Sequence, residues 1–189
     1  MNIESYTIVF TGIGGQGLIS LLKIIGKALV NEGFKIITSE THGLSQRGGK
    51  VTCFLRFGNK VNAPVPMIGS ADIIIATEKS CVLDVLKYAK PNKSTKIIIS
   101  KYEERIFNIE YPSETYVLNS LNEISDNIYF IPTLETVEKS RRINMVILGY
   151  ILRFLPLNKD KVKINIENQF SSKNIEMNLL AFENGFRLK

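Results

Sequence analysis

No tryptophan occurs in this chain of 189 residues, and histidine is present once, cysteine twice and proline six times. Cys53 and Cys81 stand far apart in apolar surroundings. A disulfide framework, a zinc site and an iron–sulfur cluster are therefore unsupported, no metal ligands are expected, and both thiols read as reduced core residues. The lone His42 has no partner with which a nucleophile–base pair can be named. No apolar run approaches the ~18 residues that span a bilayer. The opening "MNIESYTIVFTG" lacks the basic flank and long apolar stretch of a secretion signal, so a cytoplasmic protein with no membrane contact is expected. Basic clusters are also scarce. The 24 Lys and Arg outnumber the 18 Asp and Glu for a formal charge of +6, yet only Arg141 and Arg142 form a basic pair. Nucleic acid is not expected, whereas a phosphate-bearing cofactor or an acidic partner is physically easy to meet.

What is present is a rhythm of short apolar runs and helical stripes. With 44% hydrophobic side chains, residues 1–189 can bury one core, and a single domain is expected. "YTIVFT" (6–11) reads as a buried strand stopped by glycine. Residues 16–31 place Leu18, Leu21, Leu22, Ile25, Ala28 and Leu29 on one helical face closed by Gly33, and "FKIITS" (34–39) is the next strand. This order predicts a βαβ unit with a parallel sheet. Further strands are expected at 50–58, 71–77, 96–100, 114–119 and 127–132, with "VNAPVP" (61–66) folding back as a hairpin arm. Helical spacing recurs at 79–89, at 143–154 on one stripe ended by Pro156, and in a tail helix with serine before it and Gly185 after it. The fold class implied is α/β, Rossmann-like, a mostly parallel sheet flanked by helices with C-terminal helices.

Two glycine-rich segments carry the chemistry. Gly12, Gly14 and Gly17 in "GIGGQG" match G-x-G-x-x-G between a strand and a helix, and Glu40 ends the second strand where a ribose-binding carboxylate belongs. Glycine lets backbone approach a pyrophosphate while free N–H groups and the helix dipole favour its charge. Tight strand–helix packing explains the same three glycines without any ligand. The second segment, "THGLSQRGG", surrounds His42, Gln46 and Arg47 with Gly43, Gly48 and Gly49. That set suits hydrogen bonding to an oxyanion or phosphate, or docking on a partner.

Together, "GIGGQG", "SETHGLSQRGGKV", "FLRFG" and "ADIIIATE" resemble the gamma-type subunit of the 2-oxoacid:ferredoxin oxidoreductases, on the side of the indolepyruvate oxidoreductase beta subunit. "NMVILGY", with Asn144 and Gly149, and "NLLAFENGF", with Asn178, Phe182 and Gly185, extend the resemblance over nearly the whole chain. It implies a Rossmann-like domain that binds no cofactor alone and joins a hetero-oligomer with a large catalytic subunit. That subunit would hold thiamine diphosphate, magnesium and iron–sulfur clusters, reach ferredoxin through the complex and use coenzyme A as co-substrate. The positions carried over as the coenzyme-facing surface are Gly12, Gly14, Gly15, Gln16, Gly17, His42, Gln46, Arg47, Gly48 and Gly49. His42 and Arg47 are the candidates for direct chemistry, though no residue is assigned as catalytic. The chain departs from the family at "KPNKSTK", where relatives have a Gly-Gly turn, and at "KSCVLD", where a second acid is common. A free-standing NAD(P)- or FAD-binding oxidoreductase and a non-catalytic assembly module are the alternatives.

Overall fold

The computed structural model describes residues 3–42, 49–105, 110–132 and 142–189, with His42 described in its backbone alone. Six strands form one sheet in the order β2-β3-β1-β4-β5-β6. They are β1 (Tyr6–Ile13), β2 (Ile36–His42), β3 (Lys50–Phe57), β4 (Ile73–Ala76), β5 (Lys96–Ser100) and β6 (Asn127–Ile131). Pairings β1–β4, β4–β5 and β5–β6 are parallel, while β3 runs antiparallel to both β1 and β2. Five strands thus share one direction, as the mostly parallel reading requires.

Side chains alternate across this sheet, and both faces are covered. On one face Ile8, Phe10, Cys53, Leu55, Phe57, Ile73, Ile75 and Ile98 meet α1 (Leu18–Asn31) and the C-terminal helices. On the other, Val9, Phe54, Ile74, Ala76, Ile97 and Ile99 meet a 3₁₀ helix, Ser80–Tyr88, and α2 (Glu114–Ile124). Burial on both faces is why β4 and β5 read as unbroken isoleucine runs. The remaining helices are α3 (Ile143–Ile151), followed by a short 3₁₀ turn, Leu152–Phe154, then α4 (Lys159–Gln169) and α5 (Ser172–Arg187).

Several expectations are corrected. β1 and β2 are not neighbours, because the antiparallel β3 lies between them, so the first unit is not a simple βαβ pair. β2 and β3 are instead antiparallel neighbours whose pairing ends at His42 and Val51, and residues 43–48 between them lie outside the described residues. Residues 114–119 are helical, since the Ser113 hydroxyl accepts from the Tyr116 N–H and caps α2. No hairpin arm forms at 61–66; Val61 is buried, while Val65, Met67 and Ile68 are exposed in a loop. The stripe expected on α3 is a whole helix, with every residue from Ile143 to Ile151 buried. α4 has no counterpart in the sequence reading. Gly185 does not end the tail helix but lies within α5, where a Cβ would sit 1.9 Å from the Val146 carbonyl oxygen. Gly149 of α3 makes the reciprocal close approach, 2.0 Å from the Phe182 carbonyl oxygen.

Candidate functional site

The chain leaves β1 into α1 on one face of the sheet and leaves the adjacent β4 into the Ser80–Tyr88 segment on the other. Neighbouring strands whose connections part in this way open a crevice at their carboxyl ends, the usual ligand position in open α/β sheets. The glycine turn and Gly49, the described end of the second segment, meet there. The Gly14 N–H donates to the Gly49 carbonyl at 2.9 Å, and β1 and β3 pair through Gly12–Val51 and Ile13–Lys50. Gly49, just before β3, therefore lies against the glycine turn.

The turn itself is partly filled from within. Gln16 folds back so that its Oε1 accepts from the Ile13 N–H at 2.9 Å and the Thr77 hydroxyl at 2.6 Å, while its Nε2 donates to Glu104 at 3.3 Å. Gly17 caps α1 with φ 79°, and its carbonyl accepts from Asn144 Nδ2 of α3 at 3.2 Å. A Cβ on Gly17 would stand 2.3 Å from that nitrogen, whereas one on Gly15, also left-handed at φ 97°, would meet nothing within 4 Å among the described residues. The first turn of α1 has neither a side-chain cap nor an acidic residue. A helix start of this kind, with its N–H groups and positive dipole end, has the capacity to attract an anion.

Glu78, fully buried at the end of β4, anchors the far wall. Its carboxylate accepts from the Ser80 hydroxyl at 2.7 Å, the Cys81 N–H at 3.0 Å, the Glu104 N–H at 3.4 Å and the Tyr111 hydroxyl. Burial alone would raise its pKa; the donors from Ser80, Tyr111 and Cys81 outweigh it and hold the carboxyl below the ordinary range. Tyr111 moves the other way, because burial and the adjacent carboxylate both oppose a phenolate. Beside Glu78, the nearly buried Lys79 is paired with Glu103. A cleft of about 260 Å³ follows this wall, lined by Ile13, Lys50, Ser80, Asp84, Glu104 and Tyr111 among others. Burial would lower the pKa of Lys50, yet its 2.7 Å contact with Asp84 prevails and keeps the ammonium above its usual value. With three acids, Asp84, Glu104 and Glu110, against one lysine, this wall repels phosphate.

Gly12, Gly14, Gly15, Gln16, Gly17 and Gly49 thus meet at one sheet end. The backbone of His42 ends β2 at the same end, while Gln46, Arg47 and Gly48 lie outside the described residues. Glu40 does not join them as a ribose ligand would: β3 separates its strand from β1, and it pairs with Cys53. Glu104 and Tyr111 escaped the sequence reading because no spacing marks a loop residue as a site residue. Glu78 carried a usable signal, an acid directly after a run buried on both faces.

Residues 7–188 match the family described as pyruvate ferredoxin/flavodoxin oxidoreductase, and the chain belongs to that family. The indolepyruvate oxidoreductase subunit IorB of Archaeoglobus fulgidus is 30% identical over 190 residues, covering 95% of this chain and 92% of the relative. The subunit of the same name from Methanothermobacter thermautotrophicus is 29% identical, covering 96% of each chain. Among solved structures, the pyruvate oxidoreductase subunit PORC of Thermotoga maritima superposes with a TM-score of 0.72 at 14% identity, over 97% of this chain and 96% of that one. The 2-oxoglutarate:ferredoxin oxidoreductase of Magnetococcus marinus, with 2-oxoglutarate, coenzyme A and succinyl-CoA bound, gives 0.71 at 20% identity, over 98% of this chain and 31% of that chain. At these identities the structural likeness speaks for the fold.

Proposed function

We propose that this chain is the small subunit of an indolepyruvate or other arylpyruvate:ferredoxin oxidoreductase. The complex would convert a 2-oxoacid and coenzyme A to acyl-CoA and carbon dioxide, passing the electron pair singly to ferredoxin. Support for the substrate class comes from the IorB relatives, whose similarity runs the length of both chains. The carrying observation for the chain's own role is the junction at Gly14 and Gly49, which sets a glycine turn and a helix start without a side-chain cap beside the residue that follows "SQRG" in sequence.

The residues fit a supporting part better than a self-sufficient one. Cys53 and Cys81 are both fully buried, one in β3 and one in the 3₁₀ helix, where neither is placed to ligate an exchangeable cluster. In this reading thiamine diphosphate, magnesium and iron–sulfur clusters reside on a large partner subunit and supply the decarboxylation and the single-electron route. This chain contributes backbone N–H groups at Gly15 and the start of α1, with Arg47 and His42, toward the anionic groups of coenzyme A. Gln16 folds back into the turn, where its Oε1 accepts from the Ile13 N–H and the Thr77 hydroxyl.

The test is reconstitution. The small chain and the large thiamine-bearing chain, each inactive alone, should together reduce a viologen dye when given indolepyruvate and coenzyme A. Arg47→Ala should raise the KM for coenzyme A while the complex still co-purifies; an unchanged KM would leave the assembly-module reading. A large chain fully active without this one would overturn the proposal, as would tight NAD or FAD binding by the small chain alone.

A further inference from the structure

Among the residues from Gly14 to Gly17, Gln16 alone has a side chain. Whatever holds this turn beyond its backbone must therefore act through that amide. The Ile13 N–H, which can only donate, faces Gln16 at 2.9 Å, so the facing atom is the carbonyl oxygen and the direction of the amide is fixed. The Thr77 hydroxyl lies 2.6 Å from the same oxygen and must be the donor of the second bond. Thr77 has one proton to give, and its other acceptor, the Thr11 carbonyl, stands farther off at 3.4 Å.

The far end of this bond is well anchored. Thr77 follows β4 directly and is fully buried, and its N–H donates to the Thr11 carbonyl of β1 at 3.0 Å. The next residue, Glu78, is fully buried as well and is held by the Ser80 hydroxyl at 2.7 Å and the Cys81 N–H at 3.0 Å. The bond thus ties a turn with a single side chain to the buried end of the sheet. Gly12 carries the mark of it. A Cβ there would sit 1.9 Å from Thr77 Oγ1 and 2.8 Å from Gln16 Oε1, so the first glycine of G-x-G-x-x-G is required by this pair of side chains, with or without a ligand.

We propose that Thr77 is a positioning residue for the coenzyme site: its hydroxyl, acting through the Gln16 amide, holds the glycine turn in the shape that presents its N–H groups to the anionic groups of coenzyme A. The proposal rests on the coenzyme reading given above. Thr77 itself touches no substrate. Backbone donors bind an anion well when they are already in place, so loosening the turn weakens coenzyme binding and leaves the chemistry on the large subunit unchanged.

The experiment uses the full chain, free for amide hydrogen exchange and joined to its large subunit for kinetics. Thr77→Val keeps the shape and removes the donor, whereas Thr77→Ser keeps the donor and removes a methyl. Val117→Ala, a core change in α2, controls for lost stability. Thr77→Val should speed exchange at residues 13–18 and raise the KM for coenzyme A about three- to tenfold, with kcat within about twofold of the parent. Thr77→Ser should keep the parent KM even where its Tm is lower, and Val117→Ala should keep it too. Gln16→Met tests the same bond from the less buried side, should Thr77→Val not fold, and is expected to raise the KM at least as much. Adding Thr77→Val to Gln16→Met should change the KM no further, since one bond is lost in both. Unchanged exchange at residues 13–18 in Thr77→Val or, where that variant does not fold, in Gln16→Met would overturn the positioning role. Faster exchange with an unchanged KM for coenzyme A would overturn the proposal through the coenzyme reading on which it rests. A KM that follows the Tm across all the variants, and not the hydroxyl, would reduce Thr77 to a core residue.

Discussion

Asn144, on α3, donates its side-chain amide to the carbonyl of Gly17, at the start of α1, across 3.2 Å and 127 positions of sequence. Its own carbonyl oxygen accepts from the Met145 N–H at 3.0 Å, which fixes the direction of the amide. The helix that begins the C-terminal quarter thus holds the glycine turn in place. The same helix is gripped from behind by α5, where Arg142 donates to Asn178 at 2.7 Å and Asn174 at 3.1 Å.

This contact separates two glycines that look alike in sequence. Gly17→Ala must place a methyl against Asn144 while holding a left-handed backbone, and should cost about 3 kcal/mol by combining both penalties. Gly15→Ala meets open space and should cost about 1–2 kcal/mol from backbone strain alone. Urea denaturation of the two variants decides the matter, and equal losses would sink the assigned role of Asn144.

Glu78 makes stability depend on acid. Its folded-state pKa lies below the ordinary value, so its contribution is fully present above the unfolded pKa, about 4.3, and is lost as pH falls through the folded one. Glu78→Gln should lower stability at pH 7 by about 2 kcal/mol, because the Tyr111 and Cys81 donors lose a charged acceptor. The gap between variant and parent should then shrink below about pH 4. A gap that stays constant down to pH 3 would mean that folding leaves the pKa of this carboxyl unshifted.

Thiol chemistry gives a direct reading of the core. Cys53 is fully buried, and burial, with the charge of Glu40 adding to it, pushes its pKa up to about 12. Cys81 is raised as well, first by burial and then by Glu78. Iodoacetamide at pH 8 should label neither residue in the native protein and both in guanidinium. Rapid native labelling of either would contradict the packing described for β3 or the 3₁₀ helix.

Gly185→Val probes the α3–α5 contact. Because the Val146 backbone occupies the position of any side chain there, the two helices must separate, and a loss of about 3 kcal/mol or more is expected. The amide of Asn144 should loosen with it. Faster hydrogen exchange at residues 14–18 in this variant, compared with a surface substitution of equal stability cost, would report that coupling; unchanged exchange would refute it.

Much of the fold was legible because its signals are local. The isoleucine runs of β4 and β5 need burial on both faces to be tolerated, and the leucine spacing of α1 admits one helix. The antiparallel insertion of β3 was not legible, since strand order is decided by partners distant in sequence. α4 was missed because just Val162, Asn165 and Ile166 of its eleven residues are buried, too narrow a stripe to stand out, although Asn158 caps it with bonds to the Asp160 and Lys161 N–H groups. At residues 114–119 a β-rich composition outweighed the Ser113 cap in the reading, and the cap prevailed in the molecule.

Of the site, the sequence alone determined the two glycine-rich segments, since backbone that must turn tightly or lie close to other groups requires glycine whatever surrounds it. Their meeting at Gly14 and Gly49, the filling of the turn by Gln16, and the wall built by Glu78 and Tyr111 were decided by tertiary structure. The reason is geometric: a hydrogen bond between groups dozens of residues apart leaves no periodic trace in the chain, and it exists only once the sheet has set the strand ends side by side.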